Sequence, residues 1–364
     1  MRTRQGSLGS SGEDSEETDA GPARSLRNGS PKRLVKMVMF AAVVVLVVVA
    51  LVLAWVAELA TPSKATARLT VPPGGSLYQM APAMAREGVV ANAALFRLWL
   101  RLMPPGPIQP GLYVLHRNES FAAAVAGFEG GPRVIRVTIP PGFTLDQIAA
   151  AVAAKMPGHS ASQFLAVAKG GSIRSPYEPA GTSSLEGLLY PATYAFSPNA
   201  TDAQIISAMV SRFNAEASSL QLAARARSMG FSPYQMVVVA SMVEREAKLA
   251  ADRPRVARVI YNRLADNMAL QIDATEAYAL GNPAGGITRA ELQSPSPYNT
   301  YLNKGLPPTP IASPSRASLV AAMFPSPGPW LYYVVVSASG REAFSSTYAG
   351  QQANVALARQ RGLR

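Results

Sequence analysis

Two carboxylates stand two positions apart in V-E-R-E-A (243–247), at the end of a run, Met236–Val243, that is apolar except for Ser241. Such a run is buried nearly all round when helical. A carboxyl at its end loses hydration, its pKa rises, and it becomes suited to donate a proton. Two helical positions are about 200° apart, so Glu244 and Glu246 point to nearly opposite faces and one alone can meet a given cleft. Glu246 shares its face with Val239, Met242 and Val243, whereas Glu244 lies over Val237, Ala240 and Ser241. The apolar company favours Glu246 as the acid and leaves Glu244 to a base such as Arg245 or Arg263. A charged helix end emerging into solvent is the plainer alternative.

Two further segments concentrate polar and aromatic groups. Leu185–Tyr194, L-E-G-L-L-Y-P-A-T-Y, holds Glu186 and Tyr190 among apolar neighbours. Flat apolar faces beside hydrogen-bond donors suit a sugar, although tyrosines that merely cover a core would look the same. Ser294–Pro314 holds six prolines, with Tyr298, Asn299, Thr300 and Tyr301 in its first half. A loop this long is usually functional or a linker, and its proline stiffness and apolar insertions favour an ordered one. Just before it, L-Q-I-D-A-T (270–275) sets Gln271 and Asp273 beside apolar residues.

Other chemistries find little support. Cysteine is absent and the histidines are His116 and His159 alone, so a zinc site and thiolate chemistry are disfavoured. No G-x-S-x-G or G-x-x-x-x-G-K-[ST] stands in the sequence. No cofactor is expected, and carboxylates remain the acid/base candidates.

The elements that position these residues follow from hydrophobic period and caps. An α+β chain is expected. Thr66–Val71 and Gly111–Leu115 alternate as strands around helices at 76–87 and 92–103, and a third helix fits 120–128. Gly130-Gly131-Pro132 marks a boundary, which separates a small α/β unit, 66–130, from a larger one, 133–361. The latter begins with a strand at 134–139 and a helix at 144–153. Helical patterning covers 200–229. Ser232, Pro233 and Gln235 form an N-terminal signature for a helix over 232–249. Helices at 253–265 and 348–359 and a strand at 330–336 complete the pattern.

Residues 1–36 are polar without apolar period and are expected to be disordered. Met37–Ala57 carries no charge and is long enough to span a bilayer. Arg24, Arg27, Lys32, Arg33 and Lys36 precede it, so the N-terminus is expected in the cytoplasm and the rest outside. A cleaved signal peptide is disfavoured by the long tail. The net charge is +12. Residues 1–36 hold seven basic and five acidic side chains and 37–57 none, so the external part keeps +10. Outside the membrane, that charge fits an anionic polymer or membrane surface rather than nucleic acid.

A-S-M-V-E-R-E-A (240–247), V-I-Y-N-R-L (259–264), L-Q-I-D-A-T (270–275), P-Y-N-T-Y (297–301), G-L-P-P-T-P-I-A-S-P (305–314) and L-E-G-L-L-Y-P-A-T-Y (185–194) together resemble the MltG (YceG-like) endolytic transglycosylases. V-P-P-G-G-S-L (71–77), Q-P-G-L-Y (109–113) and I-P-P-G-F-T-L (139–145) extend the resemblance toward the N-terminus. It implies a LysM-like, glycan-contacting unit at 66–130 and a catalytic unit at 133–361. It implies cleavage of the MurNAc-β-1,4-GlcNAc bond of peptidoglycan without water, through one glutamic acid that closes a 1,6-anhydro ring. Glu246-Ala247 then takes the place of the Glu-plus-small-residue pair of other lytic transglycosylases, with Glu244 the alternative acid. Asn262, Gln271, Asp273, Tyr298, Asn299, Glu186 and Tyr190 are implied as substrate-binding residues, and cell-wall synthases as partners. Two other classes stay open. One is a glycan-binding scaffold with a dead site. The other is a two-carboxylate hydrolase, for which Asp273 or Glu186 would supply the second group.

Overall fold

The computed structural model describes residues 31–58, 62–282 and 286–363. Helix α1, Pro31–Glu58, begins with proline at its first turn, where no N–H is needed. It therefore starts six residues before the expected span. Residues 31–36, assigned from sequence to a disordered tail, are helical, and residues 1–30 lie outside the described residues. The stretch Lys32–Leu53 has a mean hydropathy of 3.0 over 22 residues and is almost wholly exposed. Its length of about 33 Å matches a bilayer's hydrocarbon layer. Residues 1–61 form one unit and 62–364 a second.

The second unit opens with β1 (Thr66–Val71), α2 (Leu77–Arg86), α3 (Ala93–Leu102), β2 (Gly111–His116) and α4 (Phe121–Glu129). Strands β1 and β2 pair antiparallel from Thr66–His116 to Val71–Gly111. Ala67, Leu69 and Val71 point into the core, as their alternation requires. Ser76 and Gln79 form a capping box that starts α2, and Asn92 caps α3. Pro82 is accommodated within α2.

After the Gly130–Pro132 break come β3 (Ile135–Thr138), α5 (Leu145–Lys155), α6 (Ala161–Ala168), β4 (Thr193–Phe196), α7 (Asp202–Ser219) and α8 (Leu222–Ser228). β3 and β4 pair antiparallel. Gln221, in the left-handed region at φ 56°, interrupts what the sequence pattern suggested as one helix over 200–229. Helix α9 (Pro233–Glu246) has the expected capping box, and Tyr234 and Met236–Val243 are buried. It ends at Glu246 rather than at 249, because Ala247 turns to extended backbone. Around it lie α10 (Arg253–Ala265), α11 (Asp273–Ala279) and α12 (Arg316–Met323). A closing hairpin, β5 (Tyr332–Val335) with β6 (Glu342–Ser345), precedes α13 (Tyr348–Gln360).

The core wraps α9 on every side, with side chains from α5, α6, α7, α10, α12 and Leu185–Leu189. Two polar fastenings fix the long proline loop to it. Ser241 Oγ accepts from the Ile311 N–H at 3.0 Å, and the Gly142 N–H donates to the Ser313 carbonyl at 2.9 Å. Gly187 explains the glycine in L-E-G-L. Its φ is +75°, and a Cβ there would lie 2.3 Å from that of Pro310. The close approach of the two loops requires glycine.

Candidate active site

Glu246 is the last residue of α9, so the negative end of the helix dipole lies beside it. Burial pushes its carboxyl above the ordinary carboxylate range, and the nearby Asp273 adds to this. Two hydrogen bonds work in the opposite direction. The Tyr333 hydroxyl of β5 donates to Oε2 at 2.9 Å, and the Ala274 amide of α11 also bonds the carboxyl. The residue as a whole is half-buried. It is a carboxylic acid oriented by two hydrogen bonds and inclined to keep its proton, which is what a general acid requires.

Asp273, exposed at the start of α11, lies next to it and accepts from the Tyr301 hydroxyl at 2.5 Å. Gln271 is exposed and sits in the left-handed region at φ 49°. Its Oε1 accepts from Arg263 at 3.3 Å. Arg263 is a central tie. It donates to the carbonyls of Leu331, Ala269 and Leu270 and lies over the Tyr332 ring, so it joins α10, the 270 loop and β5. Glu342 of β6 stands behind this group. It is 5% exposed, and burial, then Asp252 and Glu246, push its carboxyl up to about 8.

Glu244 occupies the other face. Its Oε2 accepts from the Ser315 N–H at 2.8 Å and from the Ser315 hydroxyl at 2.5 Å, and Oε1 pairs with Arg253 at 3.6 Å. A base does pair with Glu244, and it is Arg253, because the turn after α9 brings the start of α10 back over that face. Its oxygens fasten α9 to the start of α12.

The remaining expected site residues divide into two places. Glu186 is 2% exposed, and both its oxygens accept from the Leu145 N–H at the start of α5, each at 3.1 Å. Oε2 also accepts from Tyr278, whose ring packs on Tyr298 with centroids 5.0 Å apart. Tyr298 itself bonds Thr309 at 2.9 Å and lines a hollow with Thr144, Asp146 and Gln147. Asn299 is 0% exposed. Its amide donates to the carbonyls of Leu292 and Ser294, and its oxygen accepts from the Tyr301 N–H. Asn262 donates to the carbonyls of Gly328 and Trp330. Tyr190 is half-buried, with Arg212 over its ring.

Glu246, Asp273 and Gln271 therefore gather in one neighbourhood. Glu186 and Tyr298 share a second, Asn299 lies in the loop between the two, where Thr300 bonds Gln271 and Ile272, while Asn262 lines a separate cleft and Tyr190 packs with Arg212. Tyr333, Tyr301, Arg263 and Glu342 were absent from the sequence-based set. Nothing in a strand pattern such as L-Y-Y-V-V signals that one hydroxyl reaches a helix 87 residues away.

The chain as a whole has the fold and sequence of a known family. The model of the YceG-like family matches residues 69–357, and the chain belongs to that family. A protein of Bacillus subtilis named endolytic murein transglycosylase is 30% identical over 301 residues, covering 78% of this chain and 82% of that protein. A protein of the same name from Streptococcus pneumoniae is 27% identical over 325 residues, and the matched region covers 81% of this chain and 58% of its length. The crystal structure of a yceG-like protein from Listeria monocytogenes aligns with a TM-score of 0.55 at 29% identity, over 80% of this chain and 99% of that one.

Proposed function

We infer that this protein is an endolytic peptidoglycan transglycosylase, a lyase that cuts MurNAc-β-1,4-GlcNAc bonds within glycan strands and leaves 1,6-anhydro-MurNAc ends. The observation that carries the mechanism is the raised, half-buried Glu246 with Tyr333 on one oxygen. The names of the relatives support the substrate.

Glu246 protonates the glycosidic oxygen, and the C1–O bond breaks. The resulting carboxylate then takes the proton of the 6-hydroxyl as that oxygen closes on C1, which returns Glu246 to its acid form. No water enters and the atoms balance. Asp273 and Gln271, exposed beside the acid, contact the sugar. Asn262, Tyr298, Asn299, Glu186 and Tyr190 shape and brace the surrounding loops. Glycan contact by a LysM-like unit at 66–130 and a synthase partner belong to the same proposal. Purified full-length protein incubated with long glycan strands should give mid-length fragments early, each with an anhydro end. Release of disaccharides alone from strand termini would contradict the endolytic part.

The protein is anchored by α1 in the cytoplasmic membrane, with the catalytic unit outside. The support is the apolar helix behind basic residues. Protease added to intact spheroplasts should digest residues 62–364. Their protection until lysis would reverse the orientation.

A further inference from the structure

A cleft of about 870 Å³ opens where α9 begins, between α8, α10 and the Leu306–Pro308 stretch. It is separate from Glu246. Tyr234, which lines it, precedes Glu246 by twelve residues, about 18 Å of helix. A volume of this order suits a small organic ligand rather than a single ion.

The lining has a definite chemistry. Arg225 and Arg258 both face the cleft, and no aspartate or glutamate does. Neither arginine is ion-paired among the described residues. Each is aimed by its surroundings: Arg225 Nε donates to the Met323 carbonyl at 2.7 Å with the guanidinium over the Phe324 ring, and Arg258 donates through Nε to Ser326 at 2.7 Å and through Nη2 to Pro325 at 3.5 Å. Arg225 keeps both terminal nitrogens, and Arg258 its Nη1, to donate to a carboxylate. Tyr234 contributes its ring to the wall and is 6% exposed, while its buried hydroxyl lies toward Tyr298, Glu178 and Glu186 rather than the arginines. The opposite wall is apolar, formed by Leu306, Pro307 and Pro308.

We propose that this cleft binds the carboxylate end of a short peptide with an apolar terminal side chain, the guanidiniums taking the carboxylate and the proline wall the side chain. Two sources offer that chemistry, a free peptide and the peptide attached to a peptidoglycan strand. The strand is the assigned source, and that assignment rests on the function proposed above. Bound there, the peptide would hold the strand while Glu246 cuts at a distance.

Calorimetry on the full-length protein tests the binding without any cleavage. The probes are N-acetyl-Ala-Ala, the same dipeptide as its C-terminal amide, and inorganic phosphate. The acid should bind, the amide at least about tenfold more weakly, and phosphate no better than the amide. Ala265→Trp, at an exposed position on the rim, should fill the cleft and abolish binding with the fold intact. Glu246→Gln should bind as the wild type does. Equal binding of acid and amide, tighter binding of phosphate, or full binding by Ala265→Trp would overturn the site. For the source, strands bearing peptides should show a lower KM than strands stripped of them, and Ala265→Trp should erase the difference. Equal KM values would overturn the strand assignment. If the acid binds as described and no strand is cut, the proposed activity fails and the peptide site stands.

Discussion

Glu246→Gln is expected to abolish cleavage of isolated strands while the protein folds and still binds glycan. Loss of a general acid costs roughly 10² to 10⁴-fold in rate. The loss here should be at the upper end or beyond, because one carboxyl serves both the protonation and the later deprotonation. Glutamine keeps the shape and can still accept from Tyr333, so folding is spared. Glu244→Gln should behave differently. It weakens the bonds to Ser315 and Arg253 that tie α9 to the start of α12, and it should lower the melting temperature more than the rate. Activity retained by Glu246→Gln and lost by Glu244→Gln would exchange the two roles. Tyr333→Phe gives a second signature. The Tyr333 hydrogen bond favours the ionised carboxylate and so holds the Glu246 pKa down against burial. Its removal should raise that pKa and move the alkaline limb of kcat/KM to higher pH. An unmoved limb would reduce Tyr333 to a packing residue.

Stability should fall as pH rises from about 4.5 toward 8. Glu186 is pushed to about 7 and Glu342 to about 8, in both cases chiefly by burial, against an ordinary value of 4.5. Both groups bind a proton more tightly folded than unfolded. Their contribution is therefore fully present below 4.5 and is lost as pH passes through the folded values. At 1.36 kcal/mol per unit, the loss is on the order of 3 kcal/mol for Glu186 and on the order of 5 kcal/mol for Glu342. That is a large share of a typical domain's stability. Glu342 offers the cleaner test, since its Oε2 has no hydrogen-bond partner and Asp252 stands near. In urea titrations, Glu342→Gln should match the wild type at pH 5 and exceed it at pH 8. A variant less stable than the wild type at pH 8 would show that the ionised carboxylate is a net support and sink this account.

The parts legible in the sequence are those governed by local rules. The apolar run before Glu246, the S-x-x-Q box at Ser232 and the alternation at Thr66–Val71 each became the expected element. The 200° separation implied that Glu244 and Glu246 meet different partners, and in the fold they do, Ser315 and Arg253 for one and Tyr333 for the other. Other features were hidden because their causes are not local. Helices α6, α11 and α12 are short, seven or eight residues each, and too brief for a periodic signal. Gln221 broke a helical pattern through one left-handed residue. Asn299 looks like a sugar ligand in P-Y-N-T-Y, yet its amide closes a turn on Leu292 and Ser294. Glu186 sits in an aromatic segment that suggests a sugar site, but its oxygens meet the free N–H at the start of α5. Polar residues in a rigid loop serve backbone and ligand alike, and spacing does not separate the two.

The most direct test of a single-acid, water-free cleavage is digestion of glycan strands in water enriched in oxygen-18, followed by mass analysis of the new ends. The account predicts muramic ends in the 1,6-anhydro form, one water lighter than a reducing sugar and carrying no heavy oxygen. New reducing ends that contain oxygen-18 would contradict it, and would point instead to a hydrolase in which Asp273, beside Glu246, supplies the second carboxylate.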